Sequence, residues 1–163
     1  MNKKLLKQIL EEIVMDIPVI FLDLDGVLVS LNEQPQLLDK IHVKPNWLFE
    51  LEKFDPLCVK QMNRLENETG ARVILSSSWR HSFTPDEMDT IFKFNGLHFK
   101  LSGVTKSFAY GEREKEIQEY IDSHRISKYI VIDDLPLNIP NLVRCGSQGL
   151  TKELADEGIR ILT

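Results

Sequence analysis

Leu5, Leu6, Ile9, Leu10 and Ile13 recur at helical spacing, so residues 2–15 read as an amphipathic helix. Its polar face mixes signs, and the expected use of the apolar face is packing on its own domain; a membrane surface or a partner is the alternative. VIFLDLD, residues 19–25, is an apolar run typical of a strand buried on both faces. An irregular stretch with Pro35, Pro45 and Asn46 follows. Residues 56–69 predict a helix stopped by Gly70, and ARVILS a second buried strand. Thr84 and Pro85 supply the N-cap and first turn of a helix reaching about Phe94, before a short HFKLSG strand. Residues 112–123 place Ile117, Tyr120 and Ile121 on one helical face. YIVIDD is a third apolar strand, LVRC a short one, and a last helix starts at Thr151.

Strands alternating with helices imply a parallel sheet covered on both sides, an α/β three-layer sandwich. Ligands of such sheets bind beyond the carboxyl ends of the strands. There the first strand carries Asp23 and Asp25, the second Ser76 to Ser78, and the third Asp133 and Asp134. Three polar clusters are therefore expected at one edge.

A length of 163 residues with 42% apolar residues fits one domain, 1–163, around one core. The formal charge of −5 argues against a general basic surface for nucleic acid, while leaving room for a local patch from Lys44, Arg80, His81, Lys100, Lys106 and Arg113. Cys58 and Cys145 lack metal-ligand spacing, as do His42, His81, His98 and His124, and suggest a reducing compartment. Lys7, Glu11 and Glu12 interrupt the apolar residues of the leading segment, which spoils it as a signal-peptide core. No run approaches a membrane span. The expectation is a cytoplasmic protein with no membrane partner and no obligate protein partner.

Residues i and i+2 of an extended segment project to one side, so Asp23 and Asp25 can face one cavity. An unpaired buried charge costs several kcal/mol as an order of magnitude. A hard divalent cation relieves the repulsion, and Mg²⁺ suits oxygen ligands while keeping room for waters and a phosphate. Asp133 and Asp134 would complete the metal set. Ser76, Ser77 and Ser78 offer hydroxyls and backbone N–H groups to a phosphoryl group, with Arg80 close behind and Arg113 and Lys115 opening a helix. Each cluster alone has a plain reading: DxDG as a turn, the serines as a strand-to-loop transition, the DD pair as a cap before Pro136. Their order and shared place at strand ends favour the joint one.

In that order the clusters resemble the four motifs of the haloacid dehalogenase (HAD) superfamily of phosphohydrolases, across residues 19 to about 137. The resemblance implies a HAD-like (Rossmannoid) sheet, Mg²⁺, and Asp23 as the nucleophile that forms an aspartyl-phosphate. Asp25 would be general acid and then base. Ser76 is the preferred phosphate-binding residue, with Ser77 as alternative; Arg113 is preferred to Lys115 as the motif cation, and Asp134 to Asp133 as the direct metal ligand. Retaining Asp25 fits phosphate-ester cleavage rather than dehalogenation.

About fifty residues separate Asp25 from Ser76, much of them taken by the 56–69 helix. Residues 27–55 suffice for a flap or small lid but not a large cap domain, and an open cleft suits macromolecular ends. LSSSWR, REKEIQEYI, the VIDD strand end and GLTKELADEGIRIL resemble the HAD domain of Swiss-army-knife RNA-repair proteins, which implies removal of terminal phosphate from a polynucleotide. The partner expected is a phosphorylated substrate, a nucleic-acid end among the candidates. Alternatives are a capless phosphoprotein phosphatase, since DD-x-P also resembles the C-terminal-domain small phosphatases, a small-nucleotide or sugar phosphatase, and a non-catalytic HAD-like interaction module. Trp47, Trp79, Phe49 and Phe83 are placed to stack on a base, although core packing is the preferred reading.

Overall fold

The computed structural model describes residues 2–29, 54–108 and 112–163. At its centre lies β1 (Val19–Leu22), buried along its whole length. Parallel partners flank it: β2 (Arg72–Leu75) places Leu75 opposite Leu22, and β4 (Tyr129–Asp133) places Ile132 opposite Leu22 on the other side. With β3 (Gly103–Val104) beyond β2 and β5 (Leu142–Arg144) beyond β4, the all-parallel order is β3–β2–β1–β4–β5.

Alternation along the central strand explains the layers. Ile20 and Leu22 point to one face, where they pack with Met62 and Leu65 of α2 (Pro56–Thr69), Phe92 of α3 (Pro85–Phe94), and Ala155 and Leu162 of α5 (Lys152–Leu162). Val19 and Phe21 point to the other, against Ile117 and Ile121 of α4 (Arg113–His124). A strand covered on both sides has no polar face to show, hence its unbroken apolar run. This is the expected α/β three-layer sandwich.

Helix boundaries follow local chemistry. The Asp55 carboxylate accepts from Leu57 N–H ahead of Pro56, and Gly70 closes α2 in the left-handed conformation at φ 63°. Thr84 and Thr151 cap α3 and α5 in the same way. Three expectations require correction. The first strand ends at Leu22 rather than residue 25; beyond it Asp23 N–H still donates to the Ile132 carbonyl, and Asp25 bridges instead to Val29. The HFKLSG strand is replaced by Gly103–Val104, which pairs with Ile74 and Leu75; Phe99 and Leu101 pack on the core from a non-strand segment. The leading helix, α1 (Lys3–Asp16), buries no residue, so its apolar face is not packed on the described domain. Most of the proposed 27–55 flap, including Trp47 and Phe49, lies outside the described residues. Among the described residues, no helix is long and apolar enough to cross a membrane.

The chain runs outward from β1 through β2 to β3 and returns on the opposite side of β1 at β4. That reversal opens a crevice at the carboxyl ends of β1 and β4, where doubly wound sheets bind ligands.

Candidate active site

Register alone brings the polar residues together. Leu22 is level with Leu75 and Ile132, so the next residues, Asp23, Ser76 and Asp133, stand side by side at the ends of three adjacent strands. Asp23 N–H still donates to the Ile132 carbonyl at 3.0 Å, and Ser76 N–H to the Leu22 carbonyl at 3.0 Å, which fixes all three relative to one another.

Asp23, Asp133 and Asp134 each present an oxygen within 4.8 Å of the others. Arg113, at the start of α4, bridges two of them: its Nη1 lies 3.1 Å from Asp23 Oδ2 and 2.8 Å from Asp133 Oδ2. The other Asp133 oxygen accepts from Leu135 N–H at 3.0 Å. Gly26 allows Asp134 to approach, since a Cβ there would fall 2.5 Å from Asp134 Oδ2, and the residue sits at φ +78°, where a side chain is strained in any case. One cation against three acids leaves the cluster short of positive charge. Burial, and then the neighbouring Asp133, push the Asp23 carboxyl up to about 7 despite Arg113. Asp134 is likewise raised, by burial and by Asp133. Arg113 is raised too: burial pulls it down, but Asp23 and Asp133 outweigh that. Such perturbed groups in a strand-end crevice mark a functional site.

Asp25 does not join the three-acid cluster. Both of its oxygens lie 3.1 Å from Trp79 Nε1, which donates to them, so its side chain is directed towards the segment after β2. Burial raises its carboxyl and the indole N–H partly offsets the shift. Trp79 and Phe83 are core residues and pack on each other, in keeping with the core reading of these aromatics.

Ser76 is fully buried, and its Oγ has no hydrogen-bond partner among the described residues. Ser77 Oγ is already engaged, accepting from Trp79 N–H at 3.3 Å where it caps a short 3₁₀ turn, Ser78–His81. An orphaned buried hydroxyl beside a carboxylate cluster is the feature an arriving oxyanion would satisfy.

Two residues expected to contact phosphate have other partners in the structure. Arg80 donates from Nη1 to the Ser76 and Ser77 carbonyls at 2.7 and 2.8 Å, and from Nη2 to Glu116 Oε2 at 2.5 Å. Its side chain is 6% exposed and that of Glu116 4%, so Arg80 braces the serine segment against α4. Lys115 pairs with Glu112 at 2.8 Å, is 70% exposed, and lines a surface pocket with Gln118, Glu119 and Asp122. The cation brought to the carboxylates is Arg113.

Glu116 and Trp79 were not anticipated as site-supporting residues. Glu116 had a readable signal: it follows Arg113 by one turn and precedes Ile117, and a carboxylate on the inward face of an amphipathic helix needs a buried partner. Removing one member of a buried ion pair leaves the other uncompensated, at about 3–5 kcal/mol. Glu116→Ala is accordingly expected to lower the thermal midpoint by on the order of 10 °C in calorimetry; an unchanged midpoint would deny the pair its bracing role.

The sequence profile of the HAD domain in Swiss Army Knife RNA repair proteins matches residues 19–155. No curated protein and no solved structure matches the chain. The matched span runs from the first residue of β1 into α5 and contains Asp23, Asp25, Ser76, Ser77, Arg80, Arg113, Glu116, Asp133 and Asp134. With the sheet, the strand-end acids and that match in agreement, the chain belongs to the family of HAD domains found in Swiss Army Knife RNA repair proteins.

Proposed function

We propose that this HAD hydrolase is a Mg²⁺-dependent phosphomonoesterase that works through an aspartyl-phosphate and removes terminal phosphate from polynucleotides. The observation that carries the chemistry is Asp23, held at the strand-reversal crevice between the cation of Arg113 and the unpartnered Ser76 hydroxyl. A substrate phosphoryl group beside Asp23 would satisfy that hydroxyl and be screened by the guanidinium.

The donor set fits a hard divalent cation: three carboxylates, two of them, Asp23 and Asp134, raised by burial and by the neighbouring Asp133, with one arginine between Asp23 and Asp133. Asp23, Asp133 and Asp134 would hold Mg²⁺, which when bound would favour ionised carboxylates and offset phosphoryl charge. This chain's own residues supply the rest. An Asp23 oxygen attacks phosphorus, the bond from phosphorus to the leaving oxygen breaks, and Asp25 gives its proton to that oxygen. Asp25 then takes a proton from water. The water oxygen attacks phosphorus, the acyl-phosphate P–O bond breaks, inorganic phosphate leaves, and Asp23 is restored.

The polynucleotide substrate draws support from the RNA-repair family. The formal charge of −5 limits the contacts available to a nucleic-acid backbone, so recognition should centre on the end group. The test is a substrate panel with and without metal. Chelation with EDTA should abolish turnover of p-nitrophenyl phosphate, and added Mg²⁺ should restore it; activity that survives chelation removes the metal from the scheme. Across a 3′-phosphorylated oligonucleotide, a 5′-phosphorylated one, a phosphopeptide and a mononucleotide, kcat/KM should be highest on an oligonucleotide. A clear preference for the phosphopeptide would move the assignment to a phosphoprotein phosphatase.

A further inference from the structure

The carboxyl end of β5 brings another arginine to the strand-end crevice. Arg144 is level with Asp133 in the parallel register of β5 and β4, and Cys145 N–H, donating to the Asp133 carbonyl at 2.8 Å, holds that level. Alternation sets the direction of the side chain. Leu142 packs with Val131 in the cluster under α4, and Val143 in the cluster on the opposite face. Arg144 therefore leaves the sheet on the side of Asp133 and Arg113.

Its guanidinium is anchored at the base and uncommitted at the tip. Nε donates to the Asp134 carbonyl at 3.3 Å, which ties it to a residue of the acidic cluster. The two terminal nitrogens carry no hydrogen bond or ion pair among the described residues, and the residue is exposed. The other arginines of this edge are taken, Arg80 by Glu116 and Arg113 by Asp23 and Asp133. A fixed fork of N–H donors with a free end is the form in which arginine receives a phosphate.

Position identifies which phosphate. In the order β1–β4–β5, Arg144 stands two strand spacings from the Asp23 strand, about 10 Å. It is on the outer side of β4 from the Arg113 contact. That is too far to share the phosphoryl group attacked by Asp23, and the reach of a long side chain reduces the gap to the length of one nucleotide. A polynucleotide end carries its next phosphate at that remove; a mononucleotide or a phosphopeptide has no such group. We infer that Arg144 is a specificity-determining residue that binds the internucleotide phosphate adjoining the terminal phosphate. The inference rests on the polynucleotide reading above and adds the residue that would discriminate a chain end from a free nucleotide.

The test uses the full chain in Mg²⁺ with dinucleotides bearing a 3′- or a 5′-terminal phosphate. Each is made with a natural internucleotide phosphate and with an uncharged methylphosphonate in its place, and is compared with the matching mononucleotide and a phosphopeptide. On the preferred end, wild type should favour the charged linkage over the neutral one by about tenfold or more in kcat/KM, the scale of one charge-assisted contact. Arg144→Gln should bring that ratio close to one. Arg144→Lys, which keeps the charge and loses the fork, should give an intermediate ratio. The slope of log kcat/KM against log salt for the charged dinucleotide should flatten by about 0.7 in Arg144→Gln, the share of one single-strand phosphate contact. A wild type that favours dinucleotides over the mononucleotide and phosphopeptide yet ignores the linkage charge overturns the role of Arg144 and leaves the polynucleotide reading standing. A wild type that favours the phosphopeptide overturns both. A ratio unchanged in Arg144→Gln, with activity either kept or lowered alike on every substrate, also overturns the inference.

Discussion

Asp23→Asn is expected to lower phosphomonoester turnover by about 10⁴-fold or more, the scale on which removal of a covalent nucleophile is felt, while leaving the fold intact. The carboxamide has the shape of the carboxylate, and its oxygen can still accept from Arg113 Nη1, which lies 3.1 Å from Asp23 Oδ2. What it lacks is an anionic oxygen able to attack phosphorus. Stability should move the other way. The native Asp23 carboxyl is raised from 3.8 to about 7, by burial first and Asp133 second. A carboxyl raised on folding binds its proton more tightly in the native state, so the ionised form opposes folding above the unfolded value. In the metal-free protein, this penalty is absent below about pH 4, grows as pH rises to about 7, and is constant above it. Asparagine escapes it. Urea unfolding in EDTA should therefore find Asp23→Asn more stable than wild type at pH 8, with the difference closing towards pH 4. Undiminished turnover in the purified variant would end the covalent mechanism; lower stability at pH 8 would show that Asp23 is not the strained group its surroundings imply.

The opposed effects show why the site was partly readable beforehand. A pair of acids ending an apolar strand is locally implausible, and the rule for open parallel sheets says where such acids must gather. Hence Asp23, Ser76 and Asp133 fall level by register alone. Helix limits were readable because Pro56, Gly70, Thr84, Pro85 and Thr151 act on their own neighbours. The choice of Arg113 over Lys115 was also encoded: Arg113, Ile117 and Ile121 share one row of α4, with the two isoleucines buried, while Lys115 falls on the exposed side.

What could not be read depends on distant partners. Arg80 looks like a phosphate ligand until Glu116, 36 residues away, is seen to hold it. The β3 segment depends on an edge pairing with Ile74 and Leu75, for which the alternation in HFKLSG carries no information. For α1, periodicity announces an apolar face without saying what covers it.

The contact between Trp79 and Asp25 leads to the second large effect. An acid that protonates a leaving oxygen matters in proportion to how poorly that oxygen leaves. Asp25→Asn should slow hydrolysis of alkyl phosphates, including nucleotide 3′-phosphates, by about 10²–10⁴-fold, the usual range for general acid–base groups. p-Nitrophenolate leaves as an anion without help, so formation of the aspartyl-phosphate from p-nitrophenyl phosphate should survive the substitution. Its breakdown still needs the base. The variant should then release a rapid burst of nitrophenolate equivalent to one per active site, followed by a slow steady rate. Trp79→Phe removes the indole N–H, 3.1 Å from both Asp25 oxygens, while keeping an aromatic ring in the core. If that N–H positions the acid, Trp79→Phe should lower kcat/KM, which reports the phosphorylation step, more for alkyl phosphates than for p-nitrophenyl phosphate, as Asp25→Asn does but less severely, whereas a general loosening of the fold would lower both alike. Equal losses of kcat/KM on the two substrates with no burst from Asp25→Asn would take the acid–base role away from Asp25, and the positioning role from Trp79 with it.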